Sequence, residues 1–329
     1  MSIKMFKETY KQIDQKIRES SSIAVISHKS QDGDGIWSTT AFYEIILENF
    51  TNKKIDIFNS DPKSECLSFL PNYEKIQNNF KFDNYDLIIM VDIASLKLSG
   101  FWNDKESFSD KFIINIDHHF SNHNYWDINL VDPSKPSATA VLYDFFDFMW
   151  YKINKNAATC LLTWIYTDTG SFIYSNVTPD TFKVSSHLMK KWWDVEAINY
   201  KFFSNNSFQF MKLYARALER LVIRKNYALS YIKNEDILEF WWTQDDLGGI
   251  VSRLNEMSDV DYICFLHEKW DITKCSLRTQ KEDVDLTLIA GEFWWWWHKK
   301  ASAFAIEWKI MTERDKIFIF TDDGEKIYF

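Results

Sequence analysis

KFIINIDHH, residues 111–119, reads as a short buried strand that runs straight into three polar residues. Three other stretches repeat that form: SIAVISH (22–28), KKIDIFNSD (53–61) and YDLIIMVD (85–92). Helical stretches such as TTAFYEIILENF (39–50) and ATAVLYDFFDFM (138–149) alternate with them. This alternation predicts an α/β domain with a mainly parallel sheet flanked by helices. Three of the strands end on His28, on Asp92 and on Asp117-His118-His119. Ligands of open α/β sheets bind beyond the carboxyl ends of the strands, so these side chains are expected to converge.

Upstream, Phe6, Tyr10, Ile13 and Ile17 space out as one face of an amphipathic helix. Downstream, a polar and helical stretch (181–224) ends in MKLYARALERLVIRK, read as a basic helix. A second pattern then begins: strand 227–232, helix 243–257, strands 260–267 and 271–278, helix 284–293, and strands near 302–309 and 316–320. The reading gives three parts: a first domain at 1–186 with the candidate metal site, a helical linker at 187–224, and a smaller C-terminal α/β domain at 225–329.

The 329 residues are 46% hydrophobic and 26% charged, the balance of a globular chain. No apolar run reaches the length that spans a bilayer, and the charged N-terminus lacks the apolar stretch of a signal peptide. The four cysteines form no CxxC pair or disulfide framework. Together these features predict a cytoplasmic protein. The net charge of -9 argues against a protein that coats long nucleic acid, but not against a small phosphorylated substrate held by a few local cations.

Four stretches carry the candidate chemistry. HKSQDGDGIWS (28–38) offers His28, Asp32 and Asp34 on a strand end and the loop after it. VDIAS supplies Asp92, IDHH supplies residues 117–119, and YTDTGSF (166–172) supplies Asp168. Any one Asp at a strand end reads first as a turn or helix cap. A DHH tripeptide after an apolar strand is harder to dismiss, because its polar groups must find buried partners. Imidazoles and carboxylates together suit Mn²⁺ or Mg²⁺, and the set is large enough for two ions about 3.5–4 Å apart.

This set of motifs resembles the DHH phosphoesterase superfamily, and the C-terminal half looks like its DHHA1 domain. The layout is most similar to the branch of short oligoribonucleases and 3'-phosphoadenosine 5'-phosphate (pAp) phosphatases, related to the RecJ exonucleases. The resemblance implies two divalent ions, Mn²⁺ ahead of Mg²⁺, held by His28, Asp32, Asp34, Asp92, His118 and Asp168. It implies that His119 faces the scissile phosphate and that Asp117 orients the neighbouring histidine. Arg278, in Ser276-Leu277-Arg278, and His298, with the loop Trp294-Trp295-Trp296-Trp297 before it, would grip substrate phosphate across the interdomain cleft. The implied activity is hydrolysis of short oligonucleotides (nanoRNA) or pAp-like nucleotides to nucleoside 5'-monophosphates. A cyclic-dinucleotide phosphodiesterase and a RecJ-like single-strand exonuclease are the alternatives within the class. A nucleotide-binding protein with a blocked site is the alternative outside it. Expected partners are short RNA or DNA oligonucleotides or small phosphorylated nucleotides, with no membrane; the reading admits a homodimer.

The chain departs from that family at instructive places. Gln31 stands where a proline is usual, Trp37 where a glycine is usual, and Trp294 to Trp297 where the loop reads GGGG before its histidine. Glycine is only 8 of 329 residues against a usual share of about 7%, while tryptophan is 15. A phosphate-cradling loop needs glycine so that backbone N–H groups can approach the anion; four indoles would fill it. Trp192-Trp193, Trp241-Trp242 and Trp270 also sit where turns, caps or hairpins call for glycine. The sequence therefore suggests a gene that reads UGA as glycine and has been translated with UGA as tryptophan. A genuine aromatic platform for stacking bases would explain the loop alone.

Overall fold

The computed structural model describes residues 5–29, 33–63, 67–101, 108, 111–169, 172, 177–191, 207–240, 247–291, 299–313, 316–320 and 326–328; the side chain of Asp168 is outside this description. The chain divides into two compact units, Met1–Ile198 and Asn199–Phe329.

The first unit is built on five strands: β1 (Ser22–Ser27), β2 (Lys54–Phe58), β3 (Leu87–Val91), β4 (Phe112–Asp117) and β5 (Ile128–Val131). All are parallel, in the order β2-β1-β3-β4-β5. Strands β1, β3 and β4 are buried almost throughout, as their unbroken apolar sequences require of a sheet covered on both faces. Helices α1 (Lys7–Glu19), α2 (Gly33–Asn49), α3 (Ala138–Phe148), α4 (Lys155–Asp168) and α5 (Pro179–Met189) accompany the sheet. Tyr10, Ile13 and Ile17 of α1 are buried, as their spacing predicts. Ser137 caps α3 by accepting from the Ala140 N–H, and Asn154 caps α4 by accepting from that of Ala157. The order of strands reverses between β1 and β3. Such a switch point opens a crevice at the carboxyl ends of the two strands, where His28 and Asp92 stand.

The second unit holds a mixed sheet in the order β10-β9-β8-β7-β6. Its strands are β6 (Val222–Arg224), β7 (Tyr227–Ile232), β8 (Tyr262–Lys269), β9 (Ile272–Arg278) and β10 (Ala301–Ile306). Only the β7–β8 pair is parallel. Helices α6 (Phe208–Glu219), α7 (Asn234–Glu239) and α8 (Gly248–Leu254) supply core residues that pack with β7 and β8. Helix α9 (Leu286–Gly291) contributes to a separate core that also includes Phe304. A small antiparallel sheet follows: β11 (Met311–Glu313), β12 (Lys316–Phe320) and β13 (Lys326–Tyr328).

The basic helix expected to run to Lys225 ends instead at Glu219. The β-branched Val222 and Ile223 form β6, which returns as β7 through a two-residue turn at Lys225-Asn226. Lys225 takes positive φ there, ending any helix. Helix α7 was not expected from the sequence. Asp236 explains it: its carboxylate accepts from the Lys233 N–H at the start of the helix and from the side chains of Arg216 and Arg220.

Among the described residues, seven other than glycine have positive φ: Asn72, Asp92, Asn124, Trp150, Phe172, Lys225 and Trp270. Asn and Asp enter this region with help from their short polar side chains. Tryptophan has no such help.

Candidate metal centre

Asp92 follows β3 directly and is almost wholly buried. Its φ of 60 turns the backbone as the strand ends, and its N–H donates to the Ile116 carbonyl of β4. Strain of this kind at a strand end is a common mark of a working site. Three histidines close around its carboxylate. His28 Nε2 lies 3.2 Å from Asp92 Oδ2, and His118 Nε2 and His119 Nδ1 lie 3.7 and 3.4 Å from Oδ1. His118 Nε2 also lies 3.8 Å from Asp34 Oδ2.

Each group is held from behind. The His28 and His118 Nδ1 atoms meet the carbonyls of Lys29 and Lys135, which fixes Nε2 as the atom facing inward. Asp34, in the first turn of α2, accepts from the Ala138 N–H (2.7 Å), the Thr139 N–H (3.0 Å) and the Thr139 hydroxyl (2.6 Å). Its charge thus sits at the N-terminus of α3, where the helix dipole favours an anion. Gly35 leaves room beside it, since a Cβ there would come as close as 3.2 Å to the His28 ring.

Asp117 is fully buried and saturated with donors. Oδ1 accepts from the His118 N–H and from His119 Nδ1, each at 2.7 Å, and Oδ2 accepts from the Asn122 amide. Burial pushes the Asp117 carboxyl up, but the bond and charge of His119, with Asn122 and the His118 N–H, outweigh it and hold the group below its usual range. Burial likewise depresses His119, yet the bond to Asp117 and the charges of Asp92 and Asp117 prevail and lift it to about 9. Three buried carboxylates, Asp34, Asp92 and Asp117, lie around these rings.

That environment fits a divalent cation. Asp92 Oδ1 is buried and accepts no hydrogen bond, an expensive state for a carboxylate oxygen. Asp92, His118 and His119 can offer ligand atoms that all lie within 4.8 Å of one another. Neutral imidazole and carboxylate are the donor set of Mn²⁺-type sites.

The structure therefore brings together His28, Asp34, Asp92, Asp117, His118 and His119. Asp32 lies outside the described residues. Asp168 is the last residue of α4, with its side chain outside the description. Trp294, Trp295, Trp296, Trp297 and His298 also lie outside it. Arg278 closes β9 in the second unit and donates to the Leu277 carbonyl.

Residues 22–165 match the family model of the DHH family, N-terminal domain. This stretch is a DHH-family domain. The chain is 29% identical over 265 residues to the probable bifunctional oligoribonuclease and PAP phosphatase NrnA of Streptococcus mutans, covering 80% of this chain and 82% of that protein. It is 26% identical over 268 residues to the bifunctional oligoribonuclease and PAP phosphatase NrnA of Bacillus subtilis, covering 77% and 80%. An exopolyphosphatase-related protein from Bacteroides fragilis shares the fold, with a TM-score of 0.83, 24% identity and 91% of each chain covered.

Sequence reasoning missed the supports of the DHH site. The buried Asn115 of β4 accepts from the Asn122 amide and donates to the Ile93 carbonyl, and Asn59 donates to Ser27 and to the His28 carbonyl. A polar residue inside the apolar run of β4 was the available signal. Thr139 gives a direct test. Thr139→Val keeps the shape and removes one donor from Asp34, so Mn²⁺ affinity measured by titration should fall about 10-fold or more. Unchanged affinity would remove Asp34 from the ligand set.

Proposed function

We propose that the chain is a metal-dependent phosphoesterase that hydrolyses short oligonucleotides and pAp-like nucleotides to nucleoside 5'-monophosphates. The observation that carries this reading is the buried Asp92 carboxylate, ringed by three imidazoles with one oxygen unsatisfied. The activities for which the Streptococcus and Bacillus relatives are named support the substrate class.

His28, Asp32, Asp34, Asp92, His118 and Asp168 would hold the ions, with Mn²⁺ preferred. Such ions polarise a phosphoryl oxygen and lower the pKa of a bound water. The chain's own residues do the rest. Asp117 ties up His119 Nδ1, so the ring is oriented with Nε2 as the atom that meets substrate phosphate. Arg278 and His298 add phosphate contacts from residues 225–329, assigned as a DHHA1 domain after a 187–224 linker, with 1–186 as the DHH domain. A loop at 294–297 can donate backbone N–H groups closely to phosphate if those residues are glycine, as the recoded reading requires. No helix among the described residues is long and apolar enough to cross a membrane; we place the protein in the cytoplasm and allow a homodimer.

The test is turnover of purified protein, with glycine at the tryptophan positions, on pAp and on RNA from dimers upward. With a net charge of -9, affinity should not keep growing with length. Dimers to roughly five-mers should be cleaved faster per end than about 20-mers. Rates that rise steadily to long strands would instead place the chain with the single-strand exonucleases, and cleavage confined to cyclic dinucleotides would favour that alternative. Arg278→Ala should mainly raise KM, by removing a charge-assisted contact.

A further inference from the structure

We propose that the polypeptide made in the source cell carries glycine where this sequence has Trp150 and Trp270, and by the same rule at all fifteen tryptophan positions. The proposal is independent of the reaction catalysed and adds structural observations to the recoded reading of the sequence. It rests on backbone conformation.

Trp150 stands just past the C-cap of α3. The Tyr151 N–H donates to the Phe146 carbonyl at 3.0 Å and the Trp150 N–H to the Asp147 carbonyl at 3.2 Å. The rings of Phe146 and Tyr151 pack at 5.3 Å. These two bonds and the apolar contact form a Schellman closure, whose left-handed residue is usually glycine. Here that residue is Trp150, with φ 62. Its ring is 92% exposed, so no packing compensates for the conformation.

Trp270 repeats the pattern in a hairpin. Lys269 pairs with Ile272, which leaves Trp270-Asp271 as a two-residue connection between β8 and β9. Only the first of the two has positive φ, at 57, a position that two-residue hairpin turns of this pattern give to glycine. Its ring is 71% exposed. Among the described residues, the exposed tryptophans are the same two that have positive φ.

The buried Trp37 fits poorly for another reason. The indole N–H of Trp37 finds no acceptor, although buried indoles usually have one. The Trp37 ring fills the space that a side chain at position 33 would need: a Cβ on Gly33 would lie 2.2 Å from it. Glycine at position 37 removes the orphaned donor. Recoding also accounts for the shortage of glycine in the written chain.

Two measurements decide the matter. Peptide mass spectrometry of protein purified from the source organism should find glycine at positions 150 and 270; tryptophan there would overturn the proposal. In recombinant protein with the written sequence, Trp150→Gly and Trp270→Gly should each raise the thermal midpoint by a few degrees. Trp150→Ala and Trp270→Ala should raise it less, because alanine still resists positive φ. A lower midpoint with glycine, or alanine equal to glycine, would remove the conformational argument.

Discussion

Asp92→Asn should lower turnover on pAp by at least about a thousandfold, with metal content falling in parallel. The substitution is chosen for the backbone. Asparagine accepts the positive φ at this position about as readily as aspartate, so the strand end is preserved while the charge is lost. Asp92→Ala should be equally inactive but would add strain of its own. The size of the effect follows from position: His28, His118 and His119 all approach this one carboxylate. Turnover within tenfold of the parent at saturating Mn²⁺ would rule out a two-metal reaction centred here. His119→Ala provides the contrast. Its Nδ1 is 2.7 Å from Asp117 but 3.4 Å from Asp92, the geometry of a ring oriented for substrate. That variant should lose turnover and keep nearly all its metal. Metal loss would make His119 a ligand.

The positions of these groups were legible because parallel strands bring their carboxyl ends to one edge. SIAVISH, YDLIIMVD and KFIINIDHH each end in the residue that reaches the centre, and β1 and β3 flank the switch point. Local sequence was enough there, since buried strand and polar terminus are both written in a few consecutive letters. The supports were not legible in that way. Thr139 lies 105 residues from the Asp34 it holds, and Asn59 lies 31 from His28. Only the fold makes those pairs neighbours. Helix α7 failed to show for the same reason, because Asp236 draws on Arg216 and Arg220 from another helix and the turn after it. At β6 the local helical signal of LERLVIRK lost to pairing with β7, a tertiary contact that overrides propensity.

Placing glycine at positions 294 to 297 should raise turnover on pAp by about 100-fold or more over the written chain, the scale lost when a single preorganised donor to a developing charge is removed. The two proteins should bind Mn²⁺ equally, since no residue of the candidate metal set lies in that stretch. Access for the anion and backbone donors to hold it set the difference. Four glycines allow positive φ and leave the N–H groups before His298, Lys299 and Lys300 open to an anion. Four indoles in their place would fill the space that approach needs. Stacking of bases on the rings would give the opposite result: about 1–3 kcal/mol per base of affinity, lost on conversion to glycine. The comparison thus separates the two readings by sign as well as size. Equal turnover in both proteins would show that this loop does not hold the substrate phosphate, and would leave Arg278 as the contact to pursue in the second domain.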